Sequence, residues 1–285
     1  MSPRLWTYLL VAALALTAGA CSSTLAQQKL SGSDVAALDK FPHERFDALS
    51  KAHVDTQGRT DYTALKANPD ELVYFSAAVA SAGPKSAPKL HPDGNHGLAF
   101  YINGYNALAM LNVLSRYPDI KDLDSLSKQA DFFVFTELTV DGKVINLKDL
   151  ENEVVRPYAR KHYKGLGTVS KLGRVHFALN CASAGCPRLP NEGFDPARLD
   201  EQLDRETNRF VREERNVSVN HKRRVVTLSK IFEWYAEDFT DDAGNAINQL
   251  KWINTYLPEE EKIPEEYSLE FRDYDWTLND QKLYE

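Results

Sequence analysis

The strongest constraint on this fold is a stretch that does not belong to it. Arg4 is the only charge before a run from Leu5 to Ala18 that is almost wholly apolar, broken only by Thr7 and Thr17. At roughly 14 residues the run suits the apolar part of a secretory signal peptide, since a spanning helix needs about 20. It closes on Ala18-Gly19-Ala20, the small residues of a cleavage point, directly before Cys21. About 265 residues remain to fold, enough for one large domain or two small ones. No later stretch is long and apolar enough to cross a bilayer.

A Cys directly after a small-residue cleavage point resembles the lipobox of bacterial lipoproteins. In that family the Cys is acylated and becomes the new N-terminus. Ala18 stands where the family more often carries Leu. By the same resemblance Ser22, where an Asp would favour the inner membrane, points to the outer one. The expectation is a protein of the bacterial cell envelope, lipid-anchored through Cys21 and facing the periplasm. Residues 21–33 are polar and small and read as a flexible tether. The alternative is an ordinary cleaved signal followed by a chance Cys.

Composition narrows the remaining classes. The apolar fraction of 43% is that of an ordinary globular chain. Losing residues 1–20 removes Arg4 and no acid, taking the formal charge from -7 to about -8. An acidic chain argues against nucleic-acid binding, and Lys222-Arg223-Arg224 reads as a solvated hairpin turn. No cofactor motif is evident. If Cys21 carries lipid, Cys181 and Cys186 are the cysteines left, and an oxidising compartment invites a disulfide between them.

The element order is mixed. A helix from near Ser33 to His53 is interrupted at Pro42. Residues 54–62 form a tight turn with Gly58 at its tip. Asn68-Pro69-Asp70-Glu71 opens a helix, and Leu98 to Tyr117 forms a long one. Phe132 to Leu147 reads as a hairpin about Asp141-Gly142. Lys148 to Tyr163 is helical after a short break, and Pro157 ends or kinks it. Arg174 to Asn180 reads as a buried strand. Asp195-Pro196 opens another helix, 216–228 a second hairpin, Ser229 a short helix and Gly244 a last one. Helices and hairpins without a βαβ rhythm predict a single α+β domain, residues 34–285, with short antiparallel hairpins. Gly193 lies in the loop best suited to separate two halves, although no separation is expected.

The densest chemistry lies in Val175-His176-Phe177-Ala178-Leu179-Asn180-Cys181-Ala182-Ser183-Ala184-Gly185-Cys186-Pro187. Here the chain resembles the family called domain of unknown function 547. The resemblance extends in order from about residue 40 to the end. It takes in Phe100-Tyr101-Ile102-Asn103-Gly104-Tyr105-Asn106, Asn146-Leu147-Lys148-Asp149-Leu150-Glu151, Leu228-Ser229-Lys230-Ile231-Phe232-Glu233-Trp234-Tyr235 and Tyr274-Asp275-Trp276. The family carries no established activity to transfer, but it raises the interest of Glu151 and of Asp275.

The residues themselves leave several readings open. Cys181 is a candidate nucleophile if a base lowers its pKa. His176 is the nearest imidazole in sequence, but five strand residues would separate the two by about 16 Å. His91, His96, His162 and His221 are the other candidate bases. Alternatively Cys181 and Cys186 form a disulfide, since Gly185 permits the turn, or remain inert buried thiols. A zinc site on His176, Cys181 and Cys186 lacks a fourth ligand and a recognised spacing, so no metal is expected. On a strand His176 and Asn180 would share one face. Asn103 and Asn106 share a helix face, where a buried amide must find partners. Together with Asn180 they are candidate ligand-binding groups or structural ones.

Two functions are therefore expected as alternatives. One is a thiol-dependent hydrolase or acyl transferase with Cys181 as nucleophile, His176 or another imidazole as base and Glu151 as orienting group. The other is a non-catalytic envelope lipoprotein that binds an unidentified partner or ligand, with Cys181–Cys186 as a structural staple.

Overall fold

The structure is a computed structural model that describes residues 27–164, 169–241, 245 and 247–285. Cys21, the signal segment and residues 22–26 of the expected tether lie outside the described residues. The fold is α+β, as expected: helices with one two-stranded and one three-stranded sheet.

The helix Gly94–Arg116 organises the larger part of the core. Asp93 caps its first turn by accepting a hydrogen bond from the His96 N–H. It is apolar on almost every side, with Leu98, Phe100, Ile102, Tyr105, Leu108 and Val113 all buried. A helix of that kind must be surrounded. Helices His43–His53 and Asp70–Ser81 pack against it, as does the helical stretch through residues 147–163. The first hairpin pairs β1 (Leu138–Val140) with β2 (Lys143–Ile145). Its turn takes the expected form: Asp141 and Gly142 both have positive φ, 53° and 77°, as a two-residue type I′ connection requires. The Asp141 carboxylate accepts the backbone N–H groups of Lys85 and Ser86, which docks the turn on the preceding loop.

A second core is aromatic. Phe177, Phe210, Phe232, Phe239 and Trp252 stack together, with Phe177 and Phe210 ring centroids 4.3 Å apart. It rests on the sheet β3 (Val217–Asn220), β4 (Val225–Leu228) and β5 (Ser268–Phe271). The β3–β4 hairpin was legible in the sequence. The parallel addition of β5 to β4 was not, because it joins segments forty residues apart. The two cores meet on the helix Leu199–Arg212, whose Leu199 and Leu203 enter the first and Phe210 and Val211 the second. At Gly193 the loop packs on the His43–His53 helix, its N–H donating to Asp47 Oδ1.

Five local expectations are corrected. Arg174 to Asn180 is not a strand; Val169–Phe177 is a 3-10 helix. An unbroken buried run does not by itself distinguish strand from buried helix. Phe132 to Phe135 do not extend β1 but lie in a π-helical turn, Asp131–Phe135. Pro157 does not end its helix: a π-helical turn, Leu150–Val155, precedes Arg156–Tyr163. Its wider winding relieves the clash of the proline ring with the carbonyl four residues back. Of the last expected helix, Gln249–Asn254 is the helical part described. Residues 27–33, assigned to the tether, hold fixed contacts: Leu30 N–H donates to Ser81 Oγ, and Gly32–Ala36 is a capped helical turn.

The C-terminal segment stitches distant loops together. Leu278 N–H donates to Lys121 O at 2.9 Å, Asn279 N–H to Ala182 O at 2.9 Å, and Thr60 N–H to Asn279 O at 2.8 Å. Leu278 is fully buried between them. Leu278→Ala is expected to lose about 2–5 kcal/mol of stability, against less than about 0.5 kcal/mol for the exposed Leu283→Ala. Urea unfolding midpoints of the two variants check this.

Candidate functional site

The 3-10 helix decides where the expected site residues point. On a strand Arg174 and His176 would share a face; at three residues per turn they are about 240° apart. Arg174, with no exposure, reaches Asp200 at 2.6 Å and Asp204 at 2.7 Å on the 199–212 helix. His176 turns the other way and donates from Nε2 to Asp238 Oδ2 at 2.8 Å. Asp238 is fully buried and also accepts from Arg156 Nε and Arg160 Nη2, both at 2.7 Å. Burial alone would raise its pKa. The hydrogen bonds and charges of His176 and Arg156 outweigh that and hold the carboxyl well below its ordinary range.

Cys181 and Cys186 form a disulfide, with Cα atoms 6.2 Å apart. Cys186 is buried and Cys181 half-buried. The Cys181 N–H donates to Cys186 Sγ at 2.9 Å, and the Tyr274 hydroxyl to the same sulfur at 3.1 Å. Cys181 Sγ lies 3.4 Å from both Ser183 Oγ and the Tyr274 hydroxyl. Among the described residues no imidazole hydrogen-bonds Cys181. The pairing of Cys181 with His176 is thus corrected, because His176 is held by Asp238. The zinc trio is not gathered either, with its imidazole bound to a carboxylate and its thiols joined to each other.

Glu151 lies in the π-helical turn and is half-buried. It accepts a hydrogen bond from the Tyr105 hydroxyl at 3.3 Å. Burial first, and the Glu151 charge second, push the phenols of Tyr105 and Tyr235 well above their ordinary pKa. Burial and Glu151 act on Tyr274 in the same direction. Glu151 therefore faces protonated phenols, one of which reaches the disulfide. The Tyr235 ring stacks on His176, centroids 4.0 Å apart. Outside these phenols lies a half-open aromatic shelf: Tyr274 is 4.8 Å from Trp234 and 4.5 Å from Trp276, and Phe133 is 6.3 Å from Trp276.

The three asparagines are not assembled about a ligand. Asn106 Nδ2–H donates to Ala178 O at 2.9 Å while its Oδ1 accepts the Asn180 N–H at 2.8 Å. Asn103 does the same for Phe194, donating at 2.8 Å and accepting at 2.9 Å. Asn180 donates to Pro187 O and accepts the Ala182 N–H, both at 2.8 Å. Each amide completes the backbone of a loop, which is the structural reading of these residues. Asp275 is exposed and accepts the Thr277 N–H.

Tyr105, Trp234, Tyr235, Asp238, Tyr274 and Trp276 were not named as site residues from the sequence. All but Asp238 lie in stretches that carry the family resemblance, so a signal was present without a role attached. A separate cavity of about 520 Å³, lined among others by Phe41, His43, Lys89, His96 and Phe194, shares no residue with the disulfide shelf.

Residues 91–211 match a family model described as "Protein of unknown function, DUF547". The match covers the central helix, Glu151 and both cysteines, and ends before Tyr235, Asp238 and Tyr274. No curated protein and no solved structure matches the chain.

Removing the Asp238 charge takes from the largely buried Arg156 its buried carboxylate partner, leaving it the exposed Glu237, so Asp238→Asn is expected to destabilise by about 3 kcal/mol. Because the folded pKa is depressed, this stability is fully present above the unfolded carboxylate value of about 3.9. It is lost as the pH falls below that value toward the folded pKa. Urea unfolding between neutral and acid pH should show the wild-type chain losing stability there, and the variant losing less.

Proposed function

We propose that the chain is a lipid-anchored protein of the bacterial cell envelope, attached through Cys21, facing the periplasm and retained at the outer membrane. Its domain binds a ligand or partner and does not use a thiol for hydrolysis. The observation that carries this reading is the closed Cys181–Cys186 disulfide with no imidazole on Cys181. A closed bridge has no thiolate to act as nucleophile. An oxidising compartment keeps such a bridge closed, which agrees with the signal segment and Cys21.

The aromatic shelf is the proposed binding surface. Trp234, Tyr274 and Trp276 are half-buried and pack on one another, and the Glu151 charge acts on the Tyr274 phenol. That combination suits a sugar unit, whose C–H face is apolar and whose rim carries hydroxyls. Aromatic side chains supply large contact area together with a polar edge.

The competing reading, thiol-dependent hydrolysis or acyl transfer at Cys181, requires reduction to open the bridge. Its sulfur then has hydroxyls, not imidazole, within hydrogen-bonding reach. The intact mass of the unreduced mature protein is expected to be two hydrogens below that of the dithiol, with no labelling by a thiol probe before reduction. Labelling of Cys181 without reductant would falsify the binding reading. Replacing both cysteines by Ser opens a short loop and is expected to cost about 2 kcal/mol, read from thermal or urea unfolding. Trp234→Ala is expected to weaken binding of soluble envelope-glycan fragments about tenfold, the equivalent of one aromatic contact of about 1.4 kcal/mol. Tryptophan fluorescence titration measures it, and unchanged affinity would remove the shelf from the proposal.

A further inference from the structure

Among the described residues, exposed large apolar side chains fall in two stretches of the chain. Leu283 and Tyr284 lie at the C-terminal end. The others are Leu126 (63% exposed), Val134 (38%), Phe135 (56%) and Val144 (56%). Leu126 begins a short helix, Leu126–Ala130, that runs into the π-helical turn ending at Phe135. Three residues beyond Phe135 the chain enters β1, and Val144 stands opposite Thr139 in the β1–β2 ladder. Among the described residues, the packing leaves each of these four side chains at least 38% exposed.

The same place receives the N-terminal segment. The Gln27 side chain completes the outer edge of β1: its Oε1 accepts the Thr139 N–H at 2.7 Å and its Nε2–H donates to Thr139 O at 3.0 Å. A further bond to Ser76 O at 2.9 Å ties it to the Asp70–Ser81 helix. Gln27 thus sits on the residue paired with Val144. Cys21 lies six residues before it. Even fully extended, six residues span only about 20 Å. A domain of roughly 260 residues has a radius of gyration of about 18 Å, so its far side stands well beyond the reach of such a tether. A lipid on Cys21 therefore keeps this side of the domain, and not the far one, next to the bilayer.

Charge on this face is mixed, so the apolar side chains and the short tether carry the orientation. Lys143 is exposed next to Val144, and Lys85 is exposed beside the hairpin turn, where Asp141 binds its backbone N–H. Against them, Glu137 and Asp131 are exposed acids on the same segment, Asp131 paired with Arg116, and Asp141 lies half-buried in the turn. Lysines close to a membrane surface favour anionic headgroups, and bulky apolar side chains favour the boundary between headgroups and acyl chains.

We infer that the β1–β2 hairpin and the preceding π-helical turn form a membrane-docking face. Phe135, Val134 and Val144 enter the headgroup boundary of the bilayer that holds the anchor. The inference rests on the lipid-anchor reading given above. It turns a tether at one point into a fixed orientation, with the domain seated on the lipid surface.

The test uses the full-length chain, matured and lipidated, in vesicles of phosphatidylethanolamine and phosphatidylglycerol. Amide hydrogen exchange over residues 131–145 is compared between the wild-type chain and a Phe135→Asp, Val144→Asp double variant. Both side chains are exposed, so the variant is expected to keep the wild-type thermal unfolding midpoint and to float with the vesicles. Docking predicts exchange about tenfold slower in the wild-type chain over this segment. Equal exchange, with both proteins floating, overturns docking and leaves the anchor intact. Protection that grows with the protein-to-lipid ratio means that copies associate through this face, and also overturns it. A mature N-terminal peptide without acyl chains on Cys21 overturns the anchor itself, and the docking inference with it.

Discussion

The buried carboxylate of Asp238 is the point on which the two cores of this molecule are joined by charge. Arg156 and Arg160 reach it from a helix packed on the central Gly94–Arg116 helix. His176 reaches it from the 3-10 segment, and Asp238 itself lies in the turn just before Phe239 of the aromatic core. A buried ion network is weak evidence of net stability, because desolvation offsets much of the attraction. Its consequence here is positional. The turn that carries Asp238 also carries Trp234 and Tyr235, so holding the carboxylate places Tyr235 on the His176 ring and brings its phenol under the influence of Glu151. The shelf beside the disulfide inherits its geometry from that contact.

A second set of buried polar groups does for the loops what Asp238 does for the cores. Asn103, Asn106 and Asn180 each present one donor and one acceptor to backbone that has left regular structure. An amide matches the hydrogen-bonding pattern of a peptide group and satisfies both ends of an irregular turn. The loop from Asn180 to Pro187 is therefore fixed at its base by Asn106, across its neck by the disulfide, and along its edge by the chain from Asp275 to Asn279. Polar residues that look catalytic by composition can be needed for this alone.

How much of this was legible beforehand depended on the range of the interaction involved. The Asp141-Gly142 turn, the Asp70 helix start and the Leu199–Arg212 face follow from neighbours within one or two turns of chain, and the structure keeps them. The segment from Arg174 to Asn180 was misread because its burial is continuous, and only partners on opposite sides, Asp200 and Asp238, select a 3-10 helix over a strand. The π-helical turns at Asp131–Phe135 and Leu150–Val155 leave no periodicity to detect. The site was seen in outline, through Glu151 and the cysteines, and missed in its aromatic half, where Trp234 and Tyr274 come from segments separated by forty residues.

The sequence by itself determined the class of fold, the positions of the main helices and hairpins, and that a bond between Cys181 and Cys186 was sterically possible, since these rest on local pattern and spacing. Only the tertiary structure decided what the polar residues do. A histidine, a carboxylate or an asparagine has the same local signature whether it faces a ligand or satisfies a buried neighbour. The neighbour is supplied by distant chain: Asp238 for His176, Tyr105 for Glu151, Tyr274 for the disulfide. Burial makes each of those pairings obligatory, and no periodicity in the sequence encodes them.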